Sequence, residues 1–135
     1  MEAVVKFIGH IETPYKYIDE CPRNIESNGP LCSLVVKEEL LDGLLGLSAG
    51  QEILILYWFE NVDRKRLQQN SRKTAEFSGV FALRTPNRPN PIGAAVVKIE
   101  KIENKIIYVK GLDCLNGTPL LDIKPENGGR ATGTF

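Results

Sequence analysis

The chain breaks into short apolar runs rich in β-branched and aromatic residues, most of them bounded by proline, glycine, asparagine or aspartate, and only one segment carries helical spacing. Punctuation this frequent excludes a helical bundle and predicts strands joined by turns. Runs at 4–11, 31–36, 52–59, 79–83, 94–99, 105–109 and 120–124 give six or seven strands. Thr13-Pro14 ends the first because proline offers no ladder donor, and Glu103-Asn104 and Asn116-Gly117 read as turns before the last two. Residues 52–59, EILILYWF, are apolar at nearly every position, which predicts a central strand covered on both faces. Leu40, Leu41, Leu44, Leu45 and Leu47 lie at helical spacing between early acids and Gly50, a short amphipathic helix. Strands do not alternate with helices, so the expected fold class is mainly β: a single-domain antiparallel β-barrel with one or two short helices. The barrel domain spans 1–125. The last residues, 126–135 (ENGGRATGTF), hold too few apolar groups to pack and read as a loose C-terminal tail.

With 135 residues, 42% of them hydrophobic, the chain can bury one core. Its 17 basic and 17 acidic side chains cancel, so no global charge draws it to nucleic acid or membrane. Locally the balance differs. Between Asn61 and Asn90 stand Arg64, Lys65, Arg66, Arg72, Lys73, Arg84 and Arg88 against Asp63 and Glu76, a local excess of five positive charges that can steer an anionic ligand. The three cysteines, Cys21, Cys32 and Cys114, lack CxxC spacing and read as reduced thiols, with no structural metal expected. No run approaches the roughly 18 apolar residues of a membrane span, and the first residues lack a signal-peptide layout. A cytoplasmic location without membrane contact is expected. The single histidine, His10, lies in a predicted strand, and neither GxGxxG after a strand nor GxxxxGK[ST] occurs. The expected chemistry therefore runs without a metal and without an activated serine or cysteine.

Three polar clusters remain. In RTPNRPNPIG, 84–93, Pro86, Pro89 and Pro91 fix their own φ and push Thr85, Arg88 and Asn90 toward extended conformations. A stiff loop loses little entropy when it clamps a ligand, and Arg84, Arg88 and Asn90 offer forked donors and an amide. The other reading is a rigid corner whose arginines tie down neighbouring carbonyls. In LDCLNGTPLLDIKP, 112–125, Asp113 and Asp122 sit at strand ends where an unpaired carboxylate is costly to bury, so they read as ligands for hydroxyls or an amine, or as a base. The third cluster, CPRN at 21–24, sets proline beside arginine within the long ordered loop 12–30.

Together, IGHIETPY at 8–15, PRN at 22–24, GVFALRTPNRPNPIG at 79–93 and LDCLNGTPLLDIKP at 112–125 resemble the TsaA-like (YaeB, TrmO) family in order and spacing, from about residue 4 to 125. The resemblance implies an S-adenosylmethionine-dependent methyltransferase on a single-sheet β-barrel, acting as a homodimer on the exocyclic nitrogen of N-threonylcarbamoyladenosine in tRNA. It implies a cofactor pocket from Pro22, Arg23, Asn24, Glu60, Asn61, Arg84, Arg88, Asn90, Asp113, Leu115, Asn116 and Gly117. It also maps Pro89, Pro91, Thr118, Pro119 and the DIKP element, 122–125, onto family motifs. Asn24 stands for the usual glutamine, Asn116 for an aspartate, Glu60-Asn61 where many relatives have histidine, and Glu126 for a tyrosine. A carbamoylated nitrogen is a poor nucleophile, so a base helps, and Asp113, Asp122 and Glu60 are the unranked candidates. The tRNA backbone would meet residues 64–88. Two other readings stay open: a non-enzymatic S-adenosylmethionine- or RNA-binding barrel, and a methyltransferase for another small substrate.

Overall fold

A computed structural model describes residues 1–71 and 73–126. The expected loose tail lies outside them except for Glu126, whose N–H donates to the Glu52 carbonyl at 3.0 Å. Among the described residues nine strands form: β1 (Gly9–Glu12), β2 (Leu31–Val36), β3 (Glu52–Trp58), β4 (Gln68–Asn70), β5 (Phe77–Gly79), β6 (Ile92–Lys98), β7 (Lys101–Glu103), β8 (Ile106–Lys110) and β9 (Thr118–Pro125). Seven make one antiparallel sheet in the order β6-β3-β9-β1-β2-β8-β7, while β4 and β5 pair only with each other.

The mainly β, antiparallel expectation holds, but the sheet is open rather than closed into a barrel. At Ile99–Glu100 the chain changes neighbours: Ile99 N–H donates to Gln51 O on the β3 side, and Glu100 N–H donates to Tyr108 O on β8. Strands β6 and β8 approach there, yet no ladder joins them among the described residues. The sheet curls far enough to enclose a core. Inward positions alternate along each strand, and Ile11, Leu34, Ile53, Ile55, Ile107, Val109, Leu112 and Leu120 are fully buried.

Strand β2 forms where expected, the runs at 94–99, 105–109 and 120–124 form β6, β8 and β9 with slightly shifted ends, and four elements differ more. The first strand begins at Gly9, not at residue 4, because its partners run out: Gly9 faces Val36 on β2 and Leu120 on β9, and Val4 is fully exposed. The leucine-rich segment is a 3-10 helix, Glu38–Leu44, that includes Gly43 and is followed by Gly46 at φ +100°. Residues Val80–Ala82 form another 3-10 turn instead of a strand, since pairing with β4 ends at Gly79. Strand β3 lies between β6 and β9 as a central strand should, but only Ile53, Ile55 and Tyr57 are buried; Leu54, Leu56 and Trp58 lie half-buried on its outer face. Among the described residues no helix is long and apolar enough to cross a membrane.

Candidate functional site

Strand β3 delivers the first component. Its last inward position is Tyr57, 3% exposed, beside a β-bulge where the pairing with β9 shifts between Leu56 and Tyr57. A buried phenol needs a partner for its hydroxyl, and this one donates to Asp113 Oδ1 at 3.3 Å. The ring edge meets Phe59 at a centroid distance of 5.5 Å, and Gly93 lies against it so closely that a Cβ there would stand 2.6 Å from Tyr57. The glycine of RTPNRPNPIG is thus fixed by contact with the phenol, which brings the arginine-proline loop onto the site.

Asp113 is half-buried, and burial pushes its carboxyl above the usual carboxylate range. Its own backbone N–H, the Tyr57 hydroxyl and the Arg84 charge pull it partly back. Burial, followed by the Asp113 charge, holds the Tyr57 phenol well above its ordinary value, so it remains a neutral donor. Arg84 donates from Nη2 to the Ala94 carbonyl at 3.0 Å. Arg88 donates from Nη1 to the carbonyls of Leu83 at 2.9 Å and Thr85 at 3.2 Å. Both arginines therefore brace the loop, as the corner reading requires, while using one nitrogen of each fork for these bonds.

The loop is held from outside as well. Asn87 Oδ1 accepts from Asp63 N–H at 3.0 Å, and Arg64 Nε donates to Pro89 O at 2.8 Å while its guanidinium lies 5.2 Å from the Trp58 ring centroid. Phe59 N–H donates to Pro91 O, so Glu60 and Asn61 emerge exposed beside Asn90, with Asn61 at φ 58°.

The 112–118 turn closes the other side. Gly117 adopts φ +86°, and its N–H donates to Ile11 O. Thr118 Oγ1 donates to the Leu115 carbonyl at 2.6 Å. Asn116 Oδ1 accepts from Thr13 N–H at 3.0 Å, and Asn116 N–H donates to Tyr15 O at 2.7 Å. An amide oxygen serves that acceptor role as a carboxylate oxygen would, so the departure at 116 leaves the turn intact. Cys21, half-buried next to Pro22, Arg23 and Asn24, has its thiol pushed up first by burial and then by the Asp113 charge. The 21–24 loop is within electrostatic reach of the carboxylate.

The structure thus brings Arg84 and Cys21, at the head of the 21–24 loop, within electrostatic reach of Asp113, which leads into the 115–117 turn. It sets Asp122 apart. Asp122 faces Leu56 on the outer side of the sheet, accepts its neighbour Ile123 N–H at 2.8 Å and pairs with Lys124 Nζ at 3.2 Å. Among the described residues no hydrogen bond or ion pair joins Glu60 to Asp113, and no group of three His, Cys, Asp or Glu is placed to hold a metal. The sequence reading missed Tyr57. A phenol ending the inward row of an otherwise aliphatic strand was its only local signal.

Cys32 and Cys114 are buried, and burial pushes both thiols up, Cys114 to about 12. Neither is a thiolate at neutral pH. Brief treatment of the native protein with iodoacetamide should leave both unmodified and label Cys21 slowly, whereas all three should react in denaturant; mass mapping of the alkylated peptides checks this.

The family described as tRNA-methyltransferase O N-terminal domain matches residues 10–127. A probable S-adenosyl-L-methionine-binding protein, VirR of Rhizobium radiobacter, is 43% identical over 93% of this chain and 71% of its own length. The tRNA (adenine(37)-N6)-methyltransferase of Rattus norvegicus is 34% identical over 87% of this chain, which spans only 29% of the rat protein. A crystal structure of TrmO from Pseudomonas aeruginosa superposes with a TM-score of 0.76 at 31% identity, covering 94% of this chain and 56% of that one.

Proposed function

The chain belongs to the tRNA-methyltransferase O N-terminal domain family, and on that premise we propose that it is an S-adenosylmethionine-dependent tRNA methyltransferase. Its acceptor in this reading is the exocyclic nitrogen of N-threonylcarbamoyladenosine, and it works as a cytoplasmic homodimer. The observation that carries the reading is the Tyr57–Asp113 hydrogen bond, with Arg84 of the stiff 84–93 loop within electrostatic reach of both. S-adenosylmethionine, when bound, supplies a methyl group on a sulfonium, a reaction that needs alignment more than it needs a metal. The donor set suits it. Arg84 and Arg88 offer forks for a carboxylate, Asn90 and Asn116 offer amides for ribose hydroxyls, and the Gly117 turn has open space around its Cα for close approach of a ligand.

Within this reading Asp113 is the proton acceptor. Asp122 is neutralised by Lys124 on the outer face, and Glu60 is exposed to water, whereas burial lifts the Asp113 carboxyl toward the working pH, where a base is most effective. Tyr57 holds the carboxyl in one orientation through its hydroxyl. Incubation with isotopically labelled cofactor and tRNA, followed by nucleoside mass spectrometry, should place the label on the exocyclic nitrogen of the hypermodified adenosine. Calorimetric cofactor binding without methyl transfer to any nucleoside would sink the enzymatic reading in favour of a binding protein. Sedimentation velocity checks the dimer.

Arg88→Ala tests the loop. It removes the donor to two carbonyls as well as a charged fork, so stability should fall by about 1–2 kcal/mol and calorimetric cofactor affinity should fall with it. Unchanged affinity in a destabilised variant would leave Arg88 a brace alone.

A further inference from the structure

Outside the site, the β4–β5 hairpin exposes aromatic surface amid positive charge. Phe77 in β5 is 67% exposed and Phe81, in the 3-10 turn just after it, 78% exposed, although burying such rings is ordinarily favourable. Register places Asn70 opposite Phe77 and Gln68 opposite Gly79, so two amides, one phenyl ring and a bare glycine share the outward face. The other face, Gln69 and Ser78, turns inward, where Gln69 Oε1 accepts from Thr85 Oγ1 at 3.1 Å and ties the hairpin to the arginine-proline loop. Lys65, Arg66 and Lys73 flank it along the sequence, against Asp63 and Glu76; Arg66 pairs with Asp63 at 3.6 Å and donates from Nη1 to Gln69 Oε1 at 3.5 Å, which leaves Lys65 and Lys73 as the cations for a ligand.

We propose that this outward face and the 3-10 turn that follows it bind unpaired RNA bases, with Phe77 and Phe81 as stacking platforms, Gln68 and Asn70 meeting base edges, and Lys65 and Lys73 meeting phosphates. The proposal rests on the reading of RNA as substrate and adds how the RNA is held. Exposed rings beside amides and cations are what single-stranded RNA uses, since every base has a π-face and polar edges. An acyl-chain layer gives Gln68 and Asn70 no partners. A second copy meeting the same face across a two-fold axis would set Lys65 and Lys73 against themselves.

Fluorescence anisotropy with a labelled RNA hairpin carrying a seven-base loop, and with a fully paired RNA duplex of equal length, tests this on the whole chain. Phe77→Ala and Phe81→Ala should each weaken binding of the looped RNA roughly tenfold and leave duplex binding unchanged. Phe77→Tyr should restore it. The double variant Lys65→Ala with Lys73→Ala should flatten the salt dependence by roughly 1.4 in log–log slope. Unchanged affinity in both phenylalanine variants, an equal loss on the duplex, or a loss that tracks dissociation of a dimer in sedimentation would overturn the hairpin proposal alone. Failure of the unaltered protein to bind the looped RNA would overturn it together with the tRNA reading.

Discussion

Gly111→Ala should destabilise the fold by roughly 2–5 kcal/mol, the sum of left-handed strain and overpacking in a site that cannot relax. Gly111 holds φ +76°, and a Cβ there would run into the Glu26 carbonyl. That carbonyl is not free to move. It accepts from Gly29 N–H at 2.8 Å, while Glu26 N–H donates to Gly111 O and Gly111 N–H donates to Pro30 O, both at 2.9 Å. Gly117 and Gly43 supply a graded comparison. Gly117 shares the positive φ but has nothing within 4 Å, so its alanine variant should cost only the strain, roughly 1–2 kcal/mol. Gly43 has open space and no positive φ within a 3-10 helix, so Gly43→Ala should be neutral or stabilise by about 0.4–1 kcal/mol. Urea midpoints at constant m-value rank the three; equal midpoints for the 111 and 117 variants would show that the 26–30 loop yields freely.

The same contact explains what the sequence could not convey. Nothing local tells a reader that the 12–30 loop closes on Gly111, because the two segments lie far apart along the chain and communicate through backbone bonds. Strand β2 was legible to the residue, and β3 to within one, since their apolar runs and their partners coincide. Residues 4–7 and 80–82 have the same β-branched character but no neighbouring strand to bond, so propensity lost to topology. The reverse holds for β4 and β5, whose polar residues form strands because they pair with each other without burying a face. Closure of the barrel failed at Ile99–Glu100 for a similar reason: the side-chain pattern cannot say which carbonyl an N–H will choose. At the site, the arginine-proline loop and the Asn116-Gly117 turn were visible as motifs, while the Tyr57–Asp113 bond joins residues 56 positions apart. The same bond sets Asp113 apart in environment from Asp122 and Glu60, which the sequence left unranked, and the proposal of Asp113 as the base rests on that difference.

Asp113→Asn should lower the methyl-transfer rate by roughly 10²–10⁴-fold, the usual contribution of a positioned base, with the fold intact. The amide keeps an oxygen that can accept from the Tyr57 hydroxyl, so the geometry survives while the proton acceptor is lost. The pH dependence separates this from a mere loss of binding. In the unaltered protein kcat/KM should rise through the elevated pKa of Asp113, above the ordinary carboxylate range, and the asparagine variant should lack that limb. Stability runs the opposite way. Below the ordinary carboxylate value both folded and unfolded chains hold the proton; as pH rises the unfolded chain releases it first, so the folded state loses stability up to its own raised pKa. At neutral pH the asparagine variant should therefore be at least as stable as the unaltered protein, with the difference vanishing as pH falls through the ordinary carboxylate range. A variant both inactive and less stable at neutral pH would mean that Asp113 serves the fold as a paired carboxylate, and the base would have to be sought at Glu60, exposed at the mouth of the same loop.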